Sequence, residues 1–520
     1  MNQSTDDTIA TPPTRRFQLD SPLSTRALAF LLGLATVIVA AMPIARFVAT
    51  ALARIGYPFD LEWVEGGTLG HIRVVLAGQQ IYREPSLDFT PHLYPPLYYY
   101  VSALPSLFLG AGHLAPRLVS FVSILGAFVL LGRWVRNETD DPVAGVAAVG
   151  VLASTYQITG YWFELARVDA LFLLLVLSSH TLARTAKTPL RAGLVGVLIA
   201  AAIFTKQLGI PLAVPALLLL LLRSFRLALI AGLVSGALVA LTTIVLSVSS
   251  HGWFLYYVLF LPSRHPMEWS RFWVSVNQLF LSTTFPMTLA GMLILCGLGF
   301  APHAWKRWLF HAVFIVLAVT TSFLPYLKSG GYPNGLIPAY AALALASGLA
   351  LAALRRARLA PLGTVGPRIF VCAVLALQFK VLDYDPQAAL PSKEDLEANQ
   401  TVIERLTRMP KPLFCTGSSF YSMASGDAPI MSDTAGLSDV FKGGGPQAEN
   451  LRVAFTQAIQ QHRFKTIILD RAAGFLPQSL VQLIQQNYVY RGTVLHGLPP
   501  DVLWQKSGAS LRPDTVWVPR

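Results

Sequence analysis

Charge is scarce in this chain. Only 13% of its 520 residues are Asp, Glu, Lys or Arg, against 54% hydrophobic residues and a mean hydropathy of +0.53. A soluble domain cannot hide that much apolar surface, which excludes the ordinary globular class. Cysteine is scarcer still. Cys296, Cys372 and Cys415 stand far apart, two of them in apolar runs, and neither a disulfide framework nor a zinc motif can be read from them. The glycine run at 443–445 follows no strand pattern and leads into no Gly-Lys-Ser/Thr, so it reads as a turn and not as a phosphate loop. Acids are short relative to bases, 27 against 40, for a formal charge of +13. In a soluble chain that excess would point to nucleic acid. Here the basic residues sit in short loops between apolar runs, where they report topology, and no nucleic-acid partner is expected.

What the chain does have is length in apolar runs. Runs near the twenty residues that cross a bilayer fall at 27–48, 116–134, 142–160, 168–184, 191–206, 208–222, 226–248, 279–300, 308–326, 335–353 and 367–382. The loops at 14–16, 133–136, 183–191, 223–226, 303–308 and 355–359 are basic and alternate with loops poor in Lys and Arg. The positive-inside rule then predicts a polytopic α-helical membrane protein of about eleven transmembrane helices, its N-terminus cytoplasmic and its C-terminus outside. Residues 1–26 are polar and read as a disordered cytoplasmic tail, and 27–383 as the transmembrane domain. Residues 384–520 change in composition and are expected to form a small extracytoplasmic α/β domain. Within it, 391–409 and 476–488 have helical spacing, 464–470 reads as a buried strand, 502–508 as an edge strand and 426–446 as a loop.

The stretch "YPPLYYYVSALPSLFLG" at 94–110 is apolar enough to span, but its prolines and tyrosines suit an interfacial element. All of 49–115 is therefore placed outside as one long first loop containing an amphipathic helix. That loop opens on "YPFDLEWVEGG", with Asp60, Glu62 and Glu65 within six positions. Asp60 could cap the helix that follows, with the glutamates at its positive end. A second outer stretch, "GYWFELARVDALFLL", carries Glu164, Arg167 and Asp169. Basic partners follow in Lys206, in Arg264 and His265, and in "YLKSGGYPNGLIP" with Lys328, Tyr332 and Asn334. Ionisable groups beside a membrane are costly and mark function. Carboxylates facing lysine, arginine and histidine at one surface suit a phosphorylated lipid reacting with a hydroxyl.

A long outer loop after the first helix, opening on Asp-x-Glu and closing on "YPPL" (94–97), resembles the GT-C membrane glycosyltransferases. The nearest pattern is the family-39/family-83 group, which includes the aminoarabinose transferase of lipid A and the protein O-mannosyltransferases. "ARVDAL" (166–171), "FTKQ" (204–207) and "GGYPNGLIP" (330–338) resemble further elements of that group, in the same order. Two departures stand out. The acidic pair is split by Leu61, and the lysine expected before the paired prolines is Tyr94, for which His92 is a substitute.

The resemblance implies a donor sugar on a polyprenyl phosphate and a glycan, lipid or protein acceptor. It also implies transfer with inversion at the outer face of the bacterial inner membrane. Asp60 is then the expected general base, Glu65 and Asp169 the supporting acids, and Glu62 the acid left to solvent. Lys206 and Arg264, with His265 secondary, are expected on the donor phosphate. His92, Tyr94, Tyr98, Lys328, Tyr332 and Asn334 are expected to line the substrate groove, although Tyr98 also fits plain interfacial anchoring. No metal ligand set is readable; a divalent metal stays open, and no other cofactor is expected. A lipid-linked glycan ligase or polymerase, a flippase and a membrane-anchored binding protein are the alternatives. No pair of matching broken helices favours the flippase.

Overall fold

The computed structural model describes residues 22–300, 302–358, 363–426, 434–470 and 476–520. Most of the expected N-terminal tail lies outside these residues, but its last part does not: the first helix, Pro22–Arg54, already starts at Pro22. Among the described residues, five helices are long and apolar enough to cross a membrane, or seven if two bent pairs each count as one. Others, such as Pro142–Ser154 and Gly209–Leu221, are apolar but short. The segment expected to span at 279–300 belongs to one of the bent pairs: Trp269–Ser282 meets Phe285–Leu295 at 92°.

Local chemistry sets the helix starts. Asp141 accepts from the Val143 and Ala144 amides ahead of Pro142, and Thr188 and Ser224 cap the helices Pro189–Thr205 and Phe225–Ser249. The bundle packs around Ile337–Arg356, whose sequence is mostly Ala, Leu and Gly and which is buried along most of its length. Small residues let helix backbones come close without a polar driving force. A Cβ on Gly348 would stand 2.8 Å from both Ala148 and Val135, so only glycine permits that three-helix contact.

The first loop holds two helices, Glu65–Leu76 and Leu97–Leu109. The second is the "YPPLYYY" segment, and Leu104, Leu107 and Phe108 on it are exposed. The first is buried nearly all round, not amphipathic as its spacing suggests. The C-terminal region covers it: a Cβ on Gly66 would lie 2.6 Å from Ser418 Oγ.

After residue 383 the chain builds a four-stranded sheet in the order β1-β2-β4-β3, from Leu413–Cys415, Thr466–Asp470, Tyr488–Thr493 and Pro513–Pro519. β1 and β2 are parallel, and β4 runs antiparallel to both β2 and β3. Helix Lys393–Thr407 opens on a Ser392–Asp395 capping box. Two expectations fail here. Residues 502–508 form no sheet strand; they lie along the first loop through a bridge between Glu62 and Ser507 and a hydrogen bond from the Lys506 amide to the Leu61 carbonyl. The presumed loop at 426–446 contains the helix Thr434–Gly443 and the start of Gly445–Gln460; residues 427–433 lie outside the described residues.

Candidate active site

The side chains of Asp60, Glu62, Glu65, Glu164 and Asp169 are all shielded from solvent, and each has a distinct set of partners. Glu65 takes both arms of Arg117, at 2.9 and 2.6 Å, with the Ala166 amide on one oxygen and the Leu61 amide on the other. Burial alone would raise its pKa, but Arg117 and these amides hold it down at about 2. Glu164 is clamped to Arg54 at 2.6 Å and accepts from the Tyr156 hydroxyl, tying the first helix to the second loop. Asp169 receives Lys206 Nζ at 2.5 Å and Asn334 Nδ2 at 2.9 Å, from two other segments. It stands in the first turn of its helix, where the dipole favours a negative charge.

Glu62 differs. It is fully buried, not left to solvent, because the 506–508 segment covers it. One oxygen accepts from the Val64 amide and lies 3.6 Å from Arg167. The other has no hydrogen-bond partner among the described residues. Burial raises its pKa to about 8, and Arg167 offsets only part of that shift.

Asp60 is held between His113 Nε2, 2.8 Å from one oxygen, and the Ser418 hydroxyl, which donates to the other. Its side chain is 3% exposed.

Beside these groups lies a cavity of about 370 Å³. Arg167, Lys206, Lys328, Lys442 and His265 bring basic groups to its wall. Asp439 is the one carboxylate lining it among the described residues. Its side chain is partly exposed, with His265 Nε2 3.9 Å from Oδ1. Aromatic rings form another part of the wall: Trp162 stacks on Tyr332 at 5.7 Å and 28°, and Trp63 packs on the same ring at 5.7 Å. Arg167 lies over Trp162 at 5.1 Å and over Tyr94 at 5.5 Å, and donates to the Tyr94 hydroxyl at 3.1 Å. The loop carrying Lys328 turns tightly at Gly330, whose φ of +87° suits glycine, and a Cβ there would come within 3.2 Å of Lys442 Nζ.

The cavity therefore gathers His92, Tyr94, Lys206, His265, Lys328, Tyr332 and Asn334 from the expected set. It does not gather the rest. Tyr98 is in the core, its hydroxyl donating to the Pro116 carbonyl. Arg264 lies beside Gly445, off the cavity wall, because the short helix Leu261–Arg264 turns it toward the C-terminal region. Asp60, Glu62, Glu65 and Asp169 do not line the cavity either, and Asp169 reaches it only through Lys206 and Asn334. Trp63, Trp162, Arg167, Asp439 and Lys442 were not in the expected set. Ala435, Ser438, Asp439 and Lys442 all face the cavity and recur at three- and four-residue steps, a helical signal hidden in a glycine-flanked segment. No group of three or more His, Cys, Asp or Glu side chains among the described residues is placed to hold a metal.

Among solved structures, the chain superposes on ArnT from Cupriavidus metallidurans bound to undecaprenyl phosphate with a TM-score of 0.53, covering 91% of this chain and 97% of that one at 13% identity. Apo ArnT gives 0.54. The chain has the GT-C fold. The archaeal oligosaccharyltransferase AglB from Archaeoglobus fulgidus, another GT-C protein, matches at a TM-score of 0.49 and 12% identity over 86% of this chain and 72% of its own. No family profile and no curated protein matches the sequence. At such identities the likeness concerns the GT-C fold alone, and the role of each residue rests on the geometry above.

Proposed function

We propose that this chain is a membrane glycosyltransferase that moves a sugar from a polyprenyl-phosphate-linked donor to an acceptor hydroxyl. The transfer takes place at the outer face of the bacterial inner membrane, in the assembly or modification of a cell-envelope glycan, glycolipid or protein. The N-terminus is cytoplasmic, and the C-terminal α/β region lies outside the membrane. The observation that carries this reading is the cavity wall, where four Lys and Arg side chains and His265 stand against a single carboxylate beside a Trp-Tyr-Trp surface. The cations suit a phosphate and the aromatic faces suit a sugar ring. The undecaprenyl phosphate bound to ArnT agrees with the donor class.

In this reading the acceptor oxygen attacks the anomeric carbon opposite the phosphate, the bond to the phosphate oxygen breaks, and the configuration inverts. The polyprenyl phosphate leaves with the bonding electron pair, and its charge is met by Arg167, Lys206, Lys328 and Lys442. Arg167, stacked on Tyr94, supplies the cation missing from the position before the paired prolines. The hydroxyl proton goes to Asp439, the carboxylate in the wall. The base role expected of Asp60 passes to Asp439 because both Asp60 oxygens are already engaged away from the cavity. Glu62, with its raised pKa, keeps a proton at neutral pH and so leaves the charge of Arg167 available to the phosphate.

Transfer from a panel of polyprenyl-phosphate sugars, measured in vesicles carrying the purified protein, tests the reading. Asp439→Asn is expected to lower the rate about a hundredfold or more with little change in donor binding. Near-normal transfer by that variant, with loss in Asp60→Asn or Glu62→Gln, would move the base to the first loop. A wild-type protein that binds no polyprenyl phosphate would sink the reading altogether.

A further inference from the structure

At the other end of the bundle, four helix ends meet around a second cavity of about 310 Å³. They are the C-terminal ends of Leu114–Thr139, Phe285–Leu295 and Ile337–Arg356 and the N-terminal end of Trp305–Tyr326. One part of the lining is apolar, formed by Ile294, Leu298, Phe300 and Leu349. The other part holds Glu138, His303, Arg307 and Arg356. Glu138, the one acid in the lining, is already paired with Arg184 and lies 3.7 Å from Arg307. Arg356 donates to the Thr139 carbonyl, and the nearby Asp141 is taken by Arg355 at 2.8 Å. Glu138 thus meets two guanidiniums, Arg184 and Arg307, and with Arg356 also in the lining the cavity carries excess positive charge at a mouth where Arg307 is 54% exposed.

Trp305, half exposed at the start of its helix, marks the depth, since tryptophan favours the headgroup level. The surrounding loops are the basic ones, which the charge rule puts on the cytoplasmic side. A cavity that is cationic on one side and apolar on the other, at headgroup depth, matches an amphiphilic anion. Inorganic phosphate would leave the apolar side empty, and a zwitterionic lipid would leave the guanidiniums without a net counter-charge. We propose that this cavity binds an anionic phospholipid of the cytoplasmic leaflet, with Arg307 and Arg356 on its phosphodiester and its first acyl carbons on the apolar side.

Native mass spectrometry of the full-length protein in mild detergent tests this without using sugar transfer, so the outcome is independent of the catalytic reading. The wild type is expected to retain phosphatidylglycerol about tenfold better than phosphatidylethanolamine, with no displacement by millimolar inorganic phosphate. The double variant R307Q/R356Q is expected to lose the preference. Ala353→Trp, which fills the cavity and keeps the charges, is expected to lose retention of both lipids. Arg191→Gln, exposed in the first turn of Pro189–Thr205, is expected to change nothing. Equal retention of the two lipids by the wild type, displacement by phosphate, or unchanged retention by Ala353→Trp would each overturn the proposal.

Discussion

Glu62 and Glu65 stand three residues apart in the first loop, both fully shielded from solvent, and their pairs with Arg167 and Arg117 are built differently. Glu65 and Arg117 meet in a two-armed contact with every carboxylate oxygen used. Glu62 and Arg167 meet at 3.6 Å through one oxygen, with the other glutamate oxygen unpartnered among the described residues. The consequence is opposite protonation. Glu65 is held near 2 and stays ionised, while Glu62 is raised to about 8. A completed pair has no capacity left for a ligand and fixes the loop. An incomplete one leaves a buried guanidinium nitrogen of Arg167, a residue of the cavity lining, without a hydrogen bond among the described residues. Burial therefore does not separate the structural acid from the functional one; completeness of the hydrogen bonding does.

That contrast can be broken at several points. The largest effect is expected from Arg117→Ala, which strands a buried carboxylate. It should cost about 3–5 kcal/mol and be read as loss of the folded, monodisperse protein on size exclusion. Arg167→Ala should leave elution and thermal unfolding near wild type while lowering transfer about a hundredfold, because the lost contact is to the phosphate. A variant that instead failed to fold would place Arg167 with the structural pairs.

The pH dependence follows from the same two acids, with opposite signs. The Glu65 pKa is depressed, so its contribution to stability is present above the ordinary carboxylate range and is lost as pH falls toward about 2. The Glu62 pKa is raised, so its contribution is present below that range and is lost as pH rises through about 8. Donor affinity should weaken severalfold over the same rise, as ionised Glu62 competes for Arg167, and Glu62→Gln should flatten that profile. The smallest effect is expected at Asp60→Asn, which perturbs two hydrogen bonds and should change transfer less than about tenfold.

The sequence pattern makes some of this legible and hides the rest for physical reasons. Lys206, Lys328 and Asn334 stood out because polar residues between apolar runs have few explanations near a membrane. Tyr94 stood out as a departure, but its contact with Arg167 depends on how the two loops pack together. The burial of Glu62 could not be foreseen, since it depends on residues 506–508 folding back more than four hundred positions along the chain. Asp439 and Lys442 were missed for the same reason. Their helix joins the cavity only because Leu437 and Val440 on its other side are buried in the core beneath the first loop.

The cavity beside Arg167 is proposed to bind a lipid phosphate through that guanidinium and its neighbours. Equilibrium binding of undecaprenyl phosphate to the purified wild-type protein and to Arg167→Ala, at neutral pH, tests it most directly. Saturable binding by the wild type is expected, with affinity about a hundredfold lower in the variant. Equal affinity in the two proteins would contradict it.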